Sequence, residues 1–171
     1  CGVIYVTTSG ASSGAAGTKT NPANLTYGLS LVSATDTIVW LASGTYNISN
    51  TLDIPNGTSI EGTFDSVTWE KTNANSSIIA RDSSNPDMVN LAIIALKGTG
   101  ISNFSLQDLI ITVTNAPSNH ITLYGIHLTS CSSYNITRCQ VYTGTGGNGT
   151  SGTDGIAGDT GIAGIIGIQG N

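Results

Sequence analysis

The chain has 171 residues, of which 39% are hydrophobic and only 9% are charged, and it contains 22 glycines. An average soluble domain carries roughly 25% charged residues, and the surfaces of helices are normally covered by Glu, Lys, Arg and Gln. The composition therefore disfavours helical bundles and favours short β-strands joined by polar turns. Five Lys and Arg against ten Asp and Glu give a formal net charge of −5, which argues against nucleic acid as a partner because the attraction to phosphate backbones is missing.

The apolar runs and the three cysteines indicate how the chain could relate to a membrane or form disulfides. No apolar run approaches the roughly 20 residues that cross a bilayer, so we expect no membrane span. The first residue, Cys1, is a candidate for a lipid anchor, as in processed bacterial lipoproteins, or for an intermolecular disulfide. Cys131 and Cys139 either pair or serve as small buried hydrophobes, and we favour the second role. We expect a secreted protein, located extracellularly or at the cell surface, because its few charges and hydroxyl-rich turns suit close packing outside the cell.

Residues 1–35 are predicted to form an N-terminal strand, a polar loop and a capping helix. The strand is Val3–Val6, and the helix is expected over residues 21–34, where Asn21 can cap and Pro22 suits the first turn. The apolar residues of this helix recur at spacings of four and three and are Leu25, Leu29 and Val32.

Residues 36–145 change to brief β-branched runs that are separated by Gly, Asn, Ser and Asp, a pattern typical of short strands. The predicted strands are Thr37–Leu41, Thr51–Ile54, Thr58–Ile60, Ser77–Ile79, Leu91–Leu96, Leu109–Val113, Ile121–Leu128 and Gln140–Tyr142.

Internal similarity indicates that these strands repeat. Leu96–Ile110 can be laid over Leu128–Tyr142 without a gap, and Asn103 then falls on Asn135. Repeats of about 20 to 50 residues are typical of solenoids, in which equivalent positions of successive coils acquire similar residues. We therefore expect Asn103 and Asn135 to stack at equivalent turns between coils, the alternative being chance similarity in a chain rich in Ser and Asn.

Two segments resemble a known family. Asp36–Tyr46 resembles the opening coil of right-handed parallel β-helices of the pectin-lyase-like superfamily, and Leu52–Gly62 resembles the coil that follows it. The residues Ala34 and Thr35 stand where the family usually has Gly before the Asp. The resemblance implies an all-β fold, a short right-handed parallel β-helix with an N-terminal capping helix and an extended Gly-x-x tail.

The C-terminal segment, residues 146–171, has glycine at every third position, which permits an extended helix with three residues per turn. Collagen-like tracts usually carry much Pro and this one has none, so we expect bundling of several tracts or lateral packing through Ile, with a flexible tail as the alternative. The predicted assembly residues are Gly149, Gly152, Gly155, Ile156, Gly158, Gly161, Ile162, Gly164, Ile165, Ile166, Gly167, Ile168 and Gly170.

The sequence offers little catalytic chemistry. Enzymes of the β-helix type use paired carboxylates on a glycosidic bond or carboxylates on calcium, and the acids here are scattered. One group of charges is close in sequence and could share a face of adjacent coils: Glu61, Asp65, Glu70, Lys71, Arg81, Asp82 and Asp87. His120 and His127 lack a third ligand at a recognisable metal spacing. We therefore predict no catalytic residues, no metal and no cofactor.

These observations predict a non-catalytic extracellular structural or adhesive protein that self-associates into an oligomer or filament on a bacterial surface, with surface carbohydrate as a further partner. The alternative is a carbohydrate-binding or polysaccharide-cleaving β-helix module from a larger enzyme. A third hypothesis, ice or mineral binding, rests on Thr112-Val113-Thr114, but the repeats lack a Thr-x-Thr ladder at one phase.

Overall fold

Residues 2–72 and 74–164, which the computed structural model describes, form twelve β-strands and one short α-helix that wind into a parallel β-solenoid of about four turns. The predicted all-β parallel solenoid is thus confirmed. The strands are β1 Gly2–Ala11, β2 Asp36–Ala42, β3 Gly44–Ile48, β4 Leu52–Asp53, β5 Ser59–Phe64, β6 Ser77–Arg81, β7 Ala92–Thr99, β8 Ser105–Gln107, β9 Leu109–Val113, β10 Thr122–Thr129, β11 Asn135–Thr137 and β12 Gln140–Thr143, and the helix is α1 Leu25–Ser30.

The twelve strands belong to three parallel sheets, of five, four and three strands. Sheet A has the order β1-β2-β5-β8-β11, sheet B the order β3-β6-β9-β12 and sheet C the order β4-β7-β10. The chain visits the sheets in the sequence A, B, C, so that successive strands of one sheet come from successive coils. Among residues 2–72 and 74–164, no helix is long and apolar enough to cross a membrane.

Ladders of aliphatic side chains hold the coils together. In sheet A, consecutive strands pair Ile4 with Val39, Val39 with Ile60, Ile60 with Leu106 and Leu106 with Ile136. The side chains of this ladder before Ile136 are at most 4% exposed. Because a coil can bury its inward side chains only against the coils above and below it, these β-branched and aliphatic residues at matched positions explain why the chain forms a solenoid.

The length of the last repeat is two residues shorter in the structure than the sequence predicted. Ser105 pairs with Asn135, which gives a coil of 30 residues, whereas the sequence overlay implied 32. Asn103 lies in the turn before β8 with a φ of 56° and Asn135 begins β11, so the two amides do not stack; the residue of the last coil equivalent to Asn103 is Ser133. The error arose because a shift of two residues keeps every strand side chain on the same face.

Helix α1 is shorter than the predicted span of residues 21–34 and begins later. The side chain of Asn24, not Asn21, caps it by accepting a hydrogen bond of 2.8 Å from the Tyr27 N–H. Ala23 lies beside β1 through bridges to Val6 and Ala11, so the chain before the cap is extended. The predicted boundary at residue 35 falls between α1 and β2.

Candidate functional site

The two ends of the solenoid differ in how they are covered. At the first coil, residues 12–24 run along the outer edge of β1: the Tyr5 N–H donates to the Gly17 carbonyl at 2.9 Å and the Ala11 N–H donates to the Pro22 carbonyl at 2.9 Å. Leu25 of α1 belongs to the buried core cluster. The first strand of sheet A is therefore occupied on its outer side.

The last coil has no such cover among the described residues. Strands β10, β11 and β12 each stand last in their sheet, and no described segment pairs with their outer edges. Ile136 is 40% exposed and Val141 is 46% exposed, whereas Leu106 and Ile111, which precede them in the same ladders, are 0% exposed. We call the outer edges of β10 to β12, with Tyr134, Ile136 and Val141, the open end.

The open end carries an aromatic stack and little charge. Tyr134 stacks on the buried ring of Phe104 with centroids 5.2 Å apart and is itself 47% exposed. Arg138 is the only charged residue in the segment 130–148, and its guanidinium donates two hydrogen bonds, of 2.5 and 2.9 Å, to Asp108 of the coil below. The open end is thus apolar and close to electrically neutral.

The glycine tract leaves the solenoid next to the open end. The residues that lead into the tract lie along the loop between β9 and β10. The Gly144 N–H donates to the Val113 carbonyl at 2.8 Å, and the Asn148 carbonyl accepts from the His120 N–H at 2.9 Å. From residue 149 to 164 every residue is exposed and lies outside helices and strands. A Cβ built on any of these glycines would meet no atom within 4 Å.

The predicted assembly residues therefore contact no part of the solenoid where they are described; Ile156 and Ile162 are 99% and 98% exposed. Ile165, Ile166, Gly167, Ile168 and Gly170, like Cys1, lie outside the described residues, and collagen-like bundling stays a prediction. Residues 149–164 form no strand, so this part of the tract adds no further coil.

A second feature is a cleft of about 410 Å³ on the outer face of sheet C, which we call the outer cleft. Strands β7 and β10 form its floor, and the loop of residues 82–91 forms one wall. The described lining residues are Asp87, Asn90, Ala92, Ile94, Lys97, Thr99, Tyr124, His127 and Thr129. Its volume lies within the range of about 300–1,000 Å³ typical of small-molecule sites.

The outer cleft combines an aromatic surface with polar groups. Tyr124 meets His127 edge to face with ring centroids 4.8 Å apart, and His127 lies beside Lys97 in the register of β10 and β7. The Nδ1 atom of His127 is buried and has no hydrogen-bond partner among the described residues. Hydrogen bonds from the Asn90 side chain and backbone lower the pKa of Asp87, which keeps that carboxylate ionised.

Arg81 fixes the loop that walls the outer cleft. Its side chain occupies an inward position between Ile48 and Val113 in sheet B and is 1% exposed as a residue. The guanidinium donates to the Asp82 carbonyl at 2.8 Å and to the Asn85 carbonyl at 3.1 Å, and burial lowers the pKa of Arg81. No sequence pattern indicated this role, because Arg81 stood among other charges of a predicted loop.

The charges that lie close in sequence separate into different clusters in space. Lys71 reaches Glu61 at 3.7 Å and forms an ion pair with Asp108, which Arg138 also binds. Arg81 pairs with Asp82 at 3.0 Å, Asp87 lies in the outer cleft, and Asp65 accepts hydrogen bonds within its own turn. The described residues contain no group of three or more His, Cys, Asp or Glu that could hold a metal ion.

The histidines and cysteines of the prediction also lie apart. His120 belongs to the loop before β10, whereas His127 lines the outer cleft. Cys131 and Cys139 are free thiols whose Sγ atoms each lie 3.5 Å from a backbone carbonyl. Burial raises the pKa of Cys139.

Known proteins indicate neither a family nor a function for this chain. No protein family matches the chain, and neither the curated proteins nor the solved structures contain a significant match. The resemblance to pectin-lyase-like proteins is thus supported only at the level of the parallel β-solenoid.

Proposed function

We propose that this chain is a non-catalytic extracellular structural or adhesive protein of a bacterial surface, and that it self-associates into an oligomer or filament. We also propose that its coils wind in the right-handed sense of the pectin-lyase-like β-helices, the hand that parallel crossover connections almost always take, and that α1 caps the first coil. The observation that carries the proposal is the open end, where Ile136 and Val141 continue two core ladders but have no further layer above them among the described residues.

An uncovered end of this kind favours association for two physical reasons. The outer edges of β10 to β12 present backbone N–H and C=O groups that pair with no segment of residues 2–72 and 74–164, and such groups template the addition of another strand. The exposed parts of Ile136 and Val141 would also leave water, at about 25 cal/mol for each Å² of apolar surface buried. The glycine tract supplies a second contact, because its fully exposed Ile156 and Ile162 have no partner in the described part of the chain.

Light scattering coupled to size exclusion, with electron microscopy of the same sample, tests this proposal. The full chain should run as a multimer or filament, and deletion of residues 150–171, which keeps the hydrogen bonds of residues 144–148, should reduce the size of the assembly. Val141→Asp should weaken association at least about tenfold, because it places a charge in the apolar open end. Val89→Asp, at a residue 92% exposed on the loop of residues 82–91, is the matched control and should associate normally.

A compact monomer of 17.4 kDa at high concentration would contradict self-association. Equal association of the Val141→Asp and Val89→Asp variants would show that the open end takes no part in it.

A second candidate function, carbohydrate binding, is favoured by the outer cleft. An aromatic ring beside an amine, an imidazole and two threonine hydroxyls suits the mixed apolar and polar faces of a sugar ring. Asp87 is the one carboxylate in the described lining, and hydrolysis of a glycosidic bond normally uses a pair. We therefore propose binding without cleavage for this site.

Calorimetry against a panel of soluble polysaccharides and oligosaccharides tests the outer cleft. Tyr124→Ala should weaken binding at least about tenfold, or about 1.4 kcal/mol, while Tyr142→Ala, which removes a tyrosine 57% exposed on β12 outside the cleft, should bind as the wild type does. Release of reducing ends from a bound polysaccharide would overturn the non-catalytic assignment, and absence of binding across the panel would remove this second function.

A further inference from the structure

We infer that the partner of the open end is the open end of a second copy of this chain, so that two solenoids join end to end about a two-fold axis with their N-terminal helices on the outside. The inference rests on the proposed self-association and specifies its geometry.

The cover on β1 opposes head-to-tail stacking of intact chains through sheet A. The outer edge of β1 already exchanges backbone hydrogen bonds with residues 12–24, and Ala23 bridges Val6 there. To accept another open end, this edge would have to lose residues 12–24 and α1. That would expose Leu25 and Leu29, which are 4% and 7% exposed in the folded chain, so in the described part of the chain the edge of sheet A is free for pairing at β11 and not at β1.

A single such surface forms a closed, isologous contact, in which the same patch of both copies meets itself. Two copies of β11 related by a two-fold axis perpendicular to sheet A run antiparallel, and antiparallel edges can exchange backbone hydrogen bonds. Ile136 of β11 would then face its own copy, while β12 with Val141 would meet β10 of the other chain, whose Leu123, Ile126 and Leu128 pack against the core. The contact thus gives both exposed side chains an apolar neighbour.

The distribution of charge permits this contact although each copy carries a net charge of −5. The segment 130–148 contains no Asp or Glu, and its one cation, Arg138, is bound to Asp108. Two like-charged chains can therefore approach through this end without placing carboxylates opposite each other. The pair is closed, so assembly beyond two copies requires the glycine tracts, which start beside the shared end.

Thiol cross-linking distinguishes this geometry from its alternatives. In full-length chains whose three natural cysteines are replaced by Ser, a single cysteine is introduced either at Ser132, an exposed residue before β11, or at Ser13, an exposed residue of the loop beside β1. A short bifunctional maleimide should link Ser132→Cys chains to one another at least tenfold more efficiently than Ser13→Cys chains. Links in a mixture of the two variants should be confined to Ser132→Cys pairs.

Light scattering of the same samples separates the two proposals. Association accompanied by Ser13→Cys to Ser132→Cys links would establish head-to-tail stacking and overturn the inference while leaving self-association standing. A monomer would overturn both. Where the Ser replacements impair folding, hydrogen exchange on the unmodified chain tests the geometry. The exchange of the β11 and β12 amides should slow at high protein concentration, and that of the β1 amides should not. Slower exchange at β1 would contradict the inference.

Discussion

Leu106→Ala should lower the free energy of unfolding by about 2–5 kcal/mol, whereas Ile136→Ala, at the next position of the same ladder, should cost roughly half of that or less. Leu106 is fully buried between Ile60 and Ile136, so its truncation leaves a cavity that the coils above and below cannot fill. Ile136 is 40% exposed and has no described coil above it, so less apolar surface returns to water when it is shortened.

Urea denaturation at low protein concentration measures both variants against the wild type. Equal losses of stability at the two positions would contradict the view that the solenoid ends, uncovered, at the last coil. Repeating the measurement at a concentration at which the chain associates adds a second comparison: the cost of Ile136→Ala should then rise, because binding to the folded state adds to apparent stability. The cost of Leu106→Ala should stay the same.

The sequence was sufficient for most strands but not for β3, β8 and β11 or for the corners between the sheets. The inward residues Val39 and Ile60 lie in β-branched or aliphatic runs, whose period of two determines which face is buried. Leu106 stands between Ser105 and Gln107, and no such run marks its strand. The corners use residues other than glycine in the left-handed region, among them Asp108 at a φ of 56° and Arg138 at 51°. Without a glycine to mark it, such a corner gives no local signal, which explains the two-residue error in the coil length.

The candidate sites depend on contacts between coils, and therefore on that coil length. In the sequence, Ile136 and Val141 look like the buried residues Leu106 and Ile111 that pair with them. Only the number of coils shows that no described coil covers Ile136 and Val141. The outer cleft was missed because Lys97 and His127 are 30 residues apart and meet only when the register of β7 and β10 is known.

Asp108→Asn should lower the free energy of unfolding by about 1–2 kcal/mol at pH 7, and this difference should shrink as the pH falls below about 4. The Asp108 carboxylate lies in the corner between β8 and β9 and is 13% exposed. The guanidinium of Arg138 and then the ammonium of Lys71 hold the pKa of Asp108 well below its usual range, so this carboxylate joins the last coil and the loop of residues 65–76 to the middle of the solenoid.

A carboxyl group whose pKa is lowered by folding stabilises the folded state above its unfolded pKa of about 3.9, and it loses that contribution as the pH falls towards the folded value. Urea midpoints of wild type and Asp108→Asn at pH 7, 4 and 3 should therefore converge on the acid side. Asp53→Asn removes the same charge from an exposed residue of β4 that has no ion pair among the described residues, and it should change stability by less than about 0.5 kcal/mol at every pH. A gap between wild type and Asp108→Asn that is independent of pH would show that the carboxylate acts through its shape alone, because an ion pair must weaken once its acid is protonated.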